Sequence, residues 1–251
     1  MILDFVLHMS QLNLDRKCFI YLPDDYQTSN KRYPVLYMFD GHNIFYDEYA
    51  TYGRAIHIHE HIEKLGLDLI VVGQECSHHE NDRLKEYAPY PFYDLEYGAF
   101  EGLGNKTMDF FVNELKPYVD RNYRTKKSRK YTFIGGSSCG GLMSLYAAYK
   151  YSDVYSKTIV ISPYVLCSLD AILDELYDCN IHKDTSVYMS WGAKESSLMH
   201  GFVEETKACT EIANRLLEKN VDVFFNVREE GRHCEEDWEK ECDTFLNFLK
   251  I

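Results

Sequence analysis

Short apolar runs alternate with longer amphipathic segments along most of the chain. Apolar runs of about four to eight residues between turn residues are typical of buried strands, whereas apolar positions three and four apart are typical of helices. We predict strands at 3–9, 14–22, 33–39, 68–73, 130–134, 158–161, 186–191 and 221–227. We predict helices at 52–65, 105–121, 142–149, 169–177, 204–219 and 234–249.

This alternation of strands and helices predicts the α/β class, with a mostly parallel central sheet and helices on both faces. The first two strands have no helix between them and are therefore expected to pair antiparallel. No linker composition divides the chain, so we predict a single domain over residues 1–251. Residues 74–104 lack a regular pattern and form a candidate lid or substrate-binding loop.

Composition narrows the classes of partner. A formal net charge of -13 argues against nucleic acid and against anionic lipid surfaces, which attract clustered Lys and Arg. We find no signal peptide pattern and no apolar run long enough to cross a bilayer, so we expect no membrane contact. The eight cysteines form no C-x-x-C pair, which favours reduced thiols and a cytoplasmic location. We expect no cofactor, and the sequence leaves homo-oligomer formation open.

The stretch Gly135–Gly141 has the clearest chemical content. Within it, Gly136–Gly140 matches G-x-S-x-G, with a predicted strand before it and a predicted helix after it. In α/β-hydrolases this pattern holds a nucleophilic serine on a strained turn at a helix N-terminus. The register makes Ser138 the nucleophile. A turn whose glycines only permit close packing is the simpler alternative.

A nucleophilic serine needs a base, and the base needs an acid that orients it. His233 follows the last predicted strand, at a strand end where such a histidine belongs, whereas His182 precedes a strand and His200 lacks an anchoring turn. Glu195 closes the preceding strand and is the candidate acid, with Asp184 and Asp237 as weaker rivals.

An oxyanion hole in this fold combines the N–H after the nucleophile with one N–H from a loop after an earlier strand. Cys139 supplies the first. Strand 33–39 runs into Asp40-Gly41-His42-Asn43, so we predict the amide of His42 as the second donor.

These pieces resemble the esterase D and enterochelin-esterase-like group of α/β-hydrolases, which includes feruloyl and acetylxylan esterases. The resemblance rests on the segments 37–43, 81–89, 135–141, 191–195 and 231–234, together with Trp238. It implies an α/β-hydrolase fold and the triad Ser138, Glu195 and His233. The chain departs from the family at Cys139, where Met is frequent. The acid position also varies among members, and some siderophore esterases resemble serine–histidine dyads.

Further residues of these segments are candidates for substrate binding. We expect Asp40, Asn43 and Arg83 to contact substrate, and Tyr87 and Tyr90, in the 74–104 segment, to line the pocket. His57 and His61 would share a helical face, but a zinc site needs at least a third ligand, so we predict no metal site.

The resulting prediction is a serine carboxylic-ester hydrolase that forms an acyl-enzyme and acts on acyl esters of carbohydrates or other small alcohols. An acyltransferase to a sugar or alcohol acceptor is one alternative. A non-catalytic α/β-hydrolase that only binds a ligand is the other.

Overall fold

One mixed sheet of eight strands forms the centre of the protein in a computed structural model that describes residues 1–250. The strands of the sheet are β1 (Ile2–Met9), β2 (Leu14–Tyr21), β3 (Val35–Met38), β4 (Ile70–Gln74), β7 (Thr132–Ser137), β8 (Lys157–Ile161), β9 (Ser186–Gly192) and β10 (Asp222–Arg228). Their spatial order is β1-β2-β4-β3-β7-β8-β9-β10. The pairs β1–β2 and β2–β4 are antiparallel, and all other neighbours are parallel. The predicted α/β class and the antiparallel N-terminal pair are confirmed.

Helices cover both faces of the sheet. They are α1 (Ile58–Leu65), α2 (Asp82–Glu86), α3 (Gly104–Asp109), α4 (Lys116–Asn122), α5 (Cys139–Lys150), α6 (Leu169–Asp178), α7 (Met199–Glu218), α8 (Glu235–Glu239) and α9 (Cys242–Leu249). A π-helical segment, Phe110–Leu115, joins α3 to α4, so the predicted helix at 105–121 is present with this one irregularity.

Period-two alternation on the strands explains how the two faces are filled. On β3, Val35 and Tyr37 pack into one core cluster, together with residues of α3, α5, α6 and α7. Leu36 and Met38 point the other way, into a cluster that includes residues of α1 and α9. A strand that is buried on both sides must be apolar at every position, as β3 is.

Two helix predictions were wrong in part. Helix α1 begins only at Ile58, because residues 55–58 lie against the loop after β3 and donate backbone bonds to Asn43 and Ile44 (3.0 and 3.1 Å). The predicted helix 234–249 is broken into α8 and α9. The break turns the buried Glu241 carboxylate inward, where it accepts a 2.7 Å bond from the Tyr188 hydroxyl.

The 74–104 segment contains more regular structure than its sequence predicts. It includes α2 and a two-stranded hairpin of β5 (Phe92–Asp94) and β6 (Gly98–Phe100). Tyr87 and Ala88 in this segment are buried. The segment is therefore partly anchored in the core.

The parallel strands place their carboxyl ends along one edge of the sheet, where ligands of open α/β sheets bind. The loops after β3, β7, β8, β9 and β10 all emerge there. Within residues 1–250, no helix combines the length and apolar character that a membrane span requires. The structure contains no disulfide among these residues, and all eight cysteines are free thiols.

Candidate active site

Ser138 occupies the sharp turn between β7 and α5. Its backbone has φ 58° and ψ −122°, a conformation that costs a non-glycine residue free energy and is common at functional sites. Two neighbours hold the turn: Ser138 N–H donates to Ile161 O at 3.0 Å, and Tyr164 N–H donates to Ser138 O at 3.0 Å. The turn therefore presents a half-buried serine at the N-terminus of α5.

Close backbone approach explains the glycines around this serine. A Cβ atom on Gly136 would lie 2.7 Å from the carbonyl carbon of Gly140. A Cβ atom on Gly141 would lie 2.5 Å from Ile161 O. Since backbone atoms cannot shift cheaply, glycine is required for α5 to pack this near to β7 and β8. The packing interpretation of these glycines is therefore correct, and it is compatible with a catalytic turn.

His233 lies after β10 and contacts Glu195, which lies after β9. Nδ1 of His233 is 2.8 Å from Oε2 of Glu195. A carboxylate only accepts hydrogen bonds, so the shared proton belongs to Nδ1 and Nε2 is free to act as a base. The Glu195 side chain is 6% exposed, whereas that of His233 is 39% exposed and open to the cavity.

Glu195 is held by two further donors. Its Oε1 accepts a bond from Ser162 Oγ at 2.7 Å and from the backbone N–H of Gly192 at 2.5 Å. Ser162 in turn accepts a bond from the indole N–H of Trp238 at 2.9 Å. The Trp238 ring also packs edge-on against His233, with centroids 5.0 Å apart. These contacts fix both the carboxylate and the imidazole.

Ser138 and His233 line the same cavity, whose volume is ≈ 230 Å³. Among the described residues, no hydrogen bond joins the Ser138 hydroxyl to the His233 ring. Such bonds are often long without substrate and shorten in the reacting complex. The structure therefore brings together the three residues that the sequence predicted as nucleophile, base and acid, with Ser138 and His233 in one cavity and Glu195 against His233.

The predicted oxyanion donors come from two facing loops. Asp40 has a left-handed backbone (φ 54°), and it leads into a single 3₁₀ turn, Gly41–Asn43. Within residues 1–250, neither the amide of His42 nor that of Cys139 has a hydrogen-bond acceptor. Unpaired N–H groups at turns and helix N-termini are suited to bind an oxyanion. The His42 ring itself is buried, and its Nε2 contacts Thr51 Oγ1 at 2.9 Å.

Asp40 and Arg83 form a bidentate ion pair beside the serine. Arg83 Nε and Nη2 donate to the two carboxylate oxygens at 2.8 and 2.7 Å. Burial alone would raise the pKa of Asp40, but the neighbouring Arg83 guanidinium holds that pKa below its usual value. The pair joins the loop after β3 to α2. Because the carboxylate compensates the guanidinium, the pair as a whole has no net charge and attracts an anionic substrate little.

The five predicted substrate-binding residues divide into two groups. Asp40, Asn43 and Arg83 line the Ser138 cavity. Tyr87 does not, because it is fully buried, and its hydroxyl donates to Gln74 Oε1 and accepts from the Asp40 amide (2.7 and 3.2 Å). Tyr90 also does not, since its hydroxyl contacts Tyr149, eleven residues beyond Ser138 on α5 and hence about 16 Å along the helix. The pocket-lining predictions for Tyr87 and Tyr90 are corrected accordingly.

Several residues of the site were missed. Glu235 lines the cavity and accepts a 3.1 Å bond from the Asn43 amide group. Burial raises the pKa of Glu235. Thr51 and Tyr52 line the cavity as well, although the predicted helix 52–65 included Tyr52. Ser162 follows the end of β8, and that position was a signal that could have identified it.

The histidine pair considered for metal binding is not assembled. His57 lies before α1 with φ 47°, and its ring contacts Asp47 and Glu239. His61 contacts Asp243 instead. A separate group of His42, Cys76 and His78 has ligand atoms within 4.8 Å of one another. In this group the His42 ring and the Cys76 thiol are buried, and burial raises the pKa of the thiol.

Comparison with known proteins places this geometry in context. A family model described as "Putative esterase" matches residues 9–248. The protein YbbA of Bacillus subtilis is 25% identical over 220 residues, which cover 86% of this chain and 80% of YbbA.

Two solved structures are similar in fold. An IroE-like serine hydrolase from Shewanella oneidensis has a TM-score of 0.78 at 18% identity, covering 98% of this chain and 78% of that one. A ferulic acid esterase has a TM-score of 0.73 at 20% identity, covering 99% of this chain and 97% of that one. At this level of identity the two structures show the shared fold.

Proposed function

The chain belongs to this esterase family, and from that premise we propose that it is a serine carboxylic-ester hydrolase working through an acyl-enzyme. The observation on which the proposal chiefly depends is the Glu195–His233 pair beside Ser138 in one cavity. A serine hydroxyl needs an oriented base to become a nucleophile, and the free Nε2 of His233 is that base.

In the proposed reaction, Ser138 Oγ attacks the ester carbonyl carbon while its proton passes to His233 Nε2. The C–O double bond opens to an oxyanion, which the amides of His42 and Cys139 stabilise. When the oxyanion collapses, the bond to the alcohol breaks, and His233 returns the proton to the leaving oxygen. Water then repeats the sequence on the acyl-enzyme, and the acid and free Ser138 are released.

Glu195 has two tasks in this scheme. It keeps the Nδ1 proton in place, and its charge stabilises the imidazolium that forms when His233 takes up the serine proton. Its burial and its three donors support this role, because a fixed carboxylate needs no reorganisation during the reaction.

We propose acyl esters of carbohydrates or other small alcohols as substrates. The polar lining of the Ser138 cavity supports this class. Asn43, Thr51 and Glu235 offer an amide, a hydroxyl and a carboxyl group to the hydroxyls of such an alcohol.

Covalent labelling tests the proposal. We expect a fluorophosphonate probe to label Ser138 and the Ser138→Ala variant to lose both labelling and hydrolysis of p-nitrophenyl acetate, by about 10³-fold or more, since the nucleophile is gone. Ser137→Ala is the matched control, because Ser137 is adjacent and lines the same cavity. Labelling at a residue other than Ser138, or full activity in Ser138→Ala, contradicts the proposal.

A further inference from the structure

A second cavity, of ≈ 210 Å³, shares His233 with the Ser138 cavity but is not lined by Ser138. It is bounded by the loop after β8, the Glu195 loop and the first turns of α7. Its lining includes two aromatic residues, two acids and a histidine: Tyr164, Phe202, Glu195, Glu205 and His233. The cavity is close to the nucleophile, because Tyr164 N–H donates to Ser138 O at 3.0 Å. It is smaller than the pockets that hold drug-sized ligands, so it suits one small group.

Glu205 gives this cavity its chemistry. Its carboxyl has neither an ion pair nor a hydrogen bond within residues 1–250, although it is partly buried. Burial raises the pKa of Glu205 to about 7, the charge of Glu195 adds to the increase, and His233 opposes it. A partly buried acid that lacks a partner within the protein is costly unless a ligand pairs with it.

The charges around the cavity favour a cation. Its lining includes two carboxyl groups, Glu195 and Glu205, and the aromatic residues Tyr164 and Phe202, but neither Lys nor Arg. Arg228, outside the lining, lies 4.0 Å from Glu195, so Glu205 is the uncompensated acid. Carboxylates and aromatic faces together are the usual surroundings of bound ammonium groups. In the adjoining cavity, Arg83 is neutralised by Asp40, and Glu235 is a further acid. The protein's net charge of -13 attracts cations over longer distances as well.

We propose that this second cavity binds an ammonium group on the leaving alcohol of the ester, with Glu205 as the residue that selects it. The proposal rests on the hydrolase function above. It assigns the alcohol side because His233 must return a proton to the leaving oxygen, so the leaving group lies next to His233. The substrate class is thereby narrowed to esters of small amino alcohols or amino sugars.

A pair of esters of equal shape tests the proposal. Acetylcholine bears a quaternary ammonium group, and 3,3-dimethylbutyl acetate replaces its nitrogen with carbon. We expect the wild-type protein to have a kcat/KM for acetylcholine about tenfold or more above that for the neutral ester at pH 8. In Glu205→Gln we expect this ratio to fall by about tenfold, because the paired charge is lost. Both esters share the same acyl group, so the ratio isolates the alcohol side.

Glu204→Gln is the matched control. Glu204 is the neighbouring residue on α7, its side chain is 46% exposed, and it contacts His200 rather than this cavity. The substitution removes the same charge from the same helix. We therefore expect the ratio to stay near the wild-type value in Glu204→Gln, which separates local pairing from a general loss of negative charge.

The pH dependence supplies a second measurement. With a pKa of about 7, Glu205 is anionic above that pH and neutral below it, so the wild-type ratio should fall as the pH is lowered through 7. The charged groups facing Glu205 are Glu195 and His233. The catalytic steps at His233 are common to the two esters, so their own pH dependence cancels in the ratio. The ratio of Glu205→Gln should be nearly flat over the same range.

If neither ester is hydrolysed fast enough to measure, binding of a cation can be measured by how strongly it protects Ser138 from fluorophosphonate labelling. Tetramethylammonium should slow fluorophosphonate labelling of the wild-type protein more strongly than labelling of Glu205→Gln. The proposal is overturned if the wild-type ratio of kcat/KM for acetylcholine to that for the neutral ester is one or less. It is overturned as well if Glu205→Gln and Glu204→Gln lower this ratio equally. It is also overturned by equal protection of wild type and Glu205→Gln, even where Ser138 labelling upholds the hydrolase function. Absence of Ser138 labelling overturns both.

Discussion

Glu195 is the residue whose chemical role most needs a test, because the family resemblance is compatible with a serine–histidine dyad as well as with a triad. Three donors converge on its carboxylate: His233 Nδ1, the Ser162 hydroxyl and the Gly192 amide. A carboxylate that only filled space would not need three donors. The contacts point to a group that must remain ionised and immobile.

Replacing Glu195 with Gln tests that role. The amide NH₂ group cannot accept the Nδ1 proton, so His233 would carry its proton on Nε2 and lose its function as a base. We expect kcat for p-nitrophenyl acetate to fall by about 10³- to 10⁴-fold with little change in folding. Glu230→Gln, at an exposed acid of the His233 loop, should keep nearly full activity. A loss below about tenfold in Glu195→Gln would indicate a dyad.

The sequence could predict Ser138, His233 and Glu195 because each follows an apolar strand, and strand ends can be recognised from local pattern. Ser162 and Glu205 could not be found in this way. Ser162 acts through bonds to Trp238 and Glu195, which are distant in sequence. Glu205 lies on a polar stretch of helix that resembles any solvated surface. The prediction that Tyr87 lines the pocket was wrong because a tyrosine in an irregular segment can equally well belong to the core, as this one does.

At the scale of elements, the Asp40–Arg83 pair joins the loop after β3, which contains the His42 turn, to α2. The Asp40 side chain is 5% exposed and that of Arg83 30%, so the bond is made largely out of solvent. Tyr87 supports the same junction through the Asp40 amide. The segment 74–104 thus has a structural task, which is to hold the His42 turn against α5.

Replacing Arg83 with Met keeps much of the side-chain volume and leaves the Asp40 carboxylate buried without a partner. We expect the free energy of unfolding to fall by about 2–4 kcal/mol at pH 7, and kcat to fall because the His42 amide is displaced. Because the paired Asp40 has a lowered pKa, this loss is full above the pKa of the unfolded aspartate, about 4, and shrinks as the pH falls below it.

Urea denaturation at pH 7 and at about pH 3, below the pKa of the unfolded aspartate, measures this effect. The double variant Asp40→Asn with Arg83→Met is the control, since Asn tolerates the left-handed backbone of Asp40 and has no charge to leave unpaired. It should be more stable than Arg83→Met alone. If the two variants are equally unstable, the pair contributes through packing rather than charge.

Most element types could be predicted from periodicity, but their ends depend on contacts made elsewhere in the chain. Residues 52–57 were predicted as helix, yet they form a turn and irregular backbone in which Gly53 and His57 have positive φ, and Ile56 bonds to Asn43 in the loop after β3. The last helix breaks where Glu241 turns to Tyr188. The β5–β6 hairpin has strands of three residues each, too short to give a period.

At the scale of the whole molecule, the spatial order of the strands in the sheet brings the site residues together, although these residues are distant in the sequence. The loops after β3 and β10 meet in one cavity, where Asn43 bonds to Glu235 across 192 residues. The strand order β3-β7-β8-β9-β10 brings these ends together. Sequence pattern supplies the strands but not their order, since pairing is decided by packing among all of them.

An ionised Glu205 in the second cavity lowers the free energy of unfolding of the whole protein. A pKa raised from 4.5 to about 7 means that the carboxylate is destabilised in the folded state. The effect of this carboxyl group on the free energy of unfolding therefore depends on pH. Below pH 4.5 the acid is neutral in both states and costs nothing, and above pH 7 it is ionised in both and the full cost applies.

Glu205→Gln should therefore stabilise the fold while it weakens selection of cationic esters. We expect the free energy of unfolding to rise by about 1–2 kcal/mol at pH 8, after allowance for the partial exposure of the cavity, and by almost nothing at pH 4. Urea denaturation at the two pH values measures the change. Glu204→Gln controls for the relief of general charge repulsion and should differ little from wild type at either pH. A variant less stable than wild type at pH 8 would mean that Glu205 already has a partner within the fold, and the free carboxylate proposed for ammonium binding would then be absent.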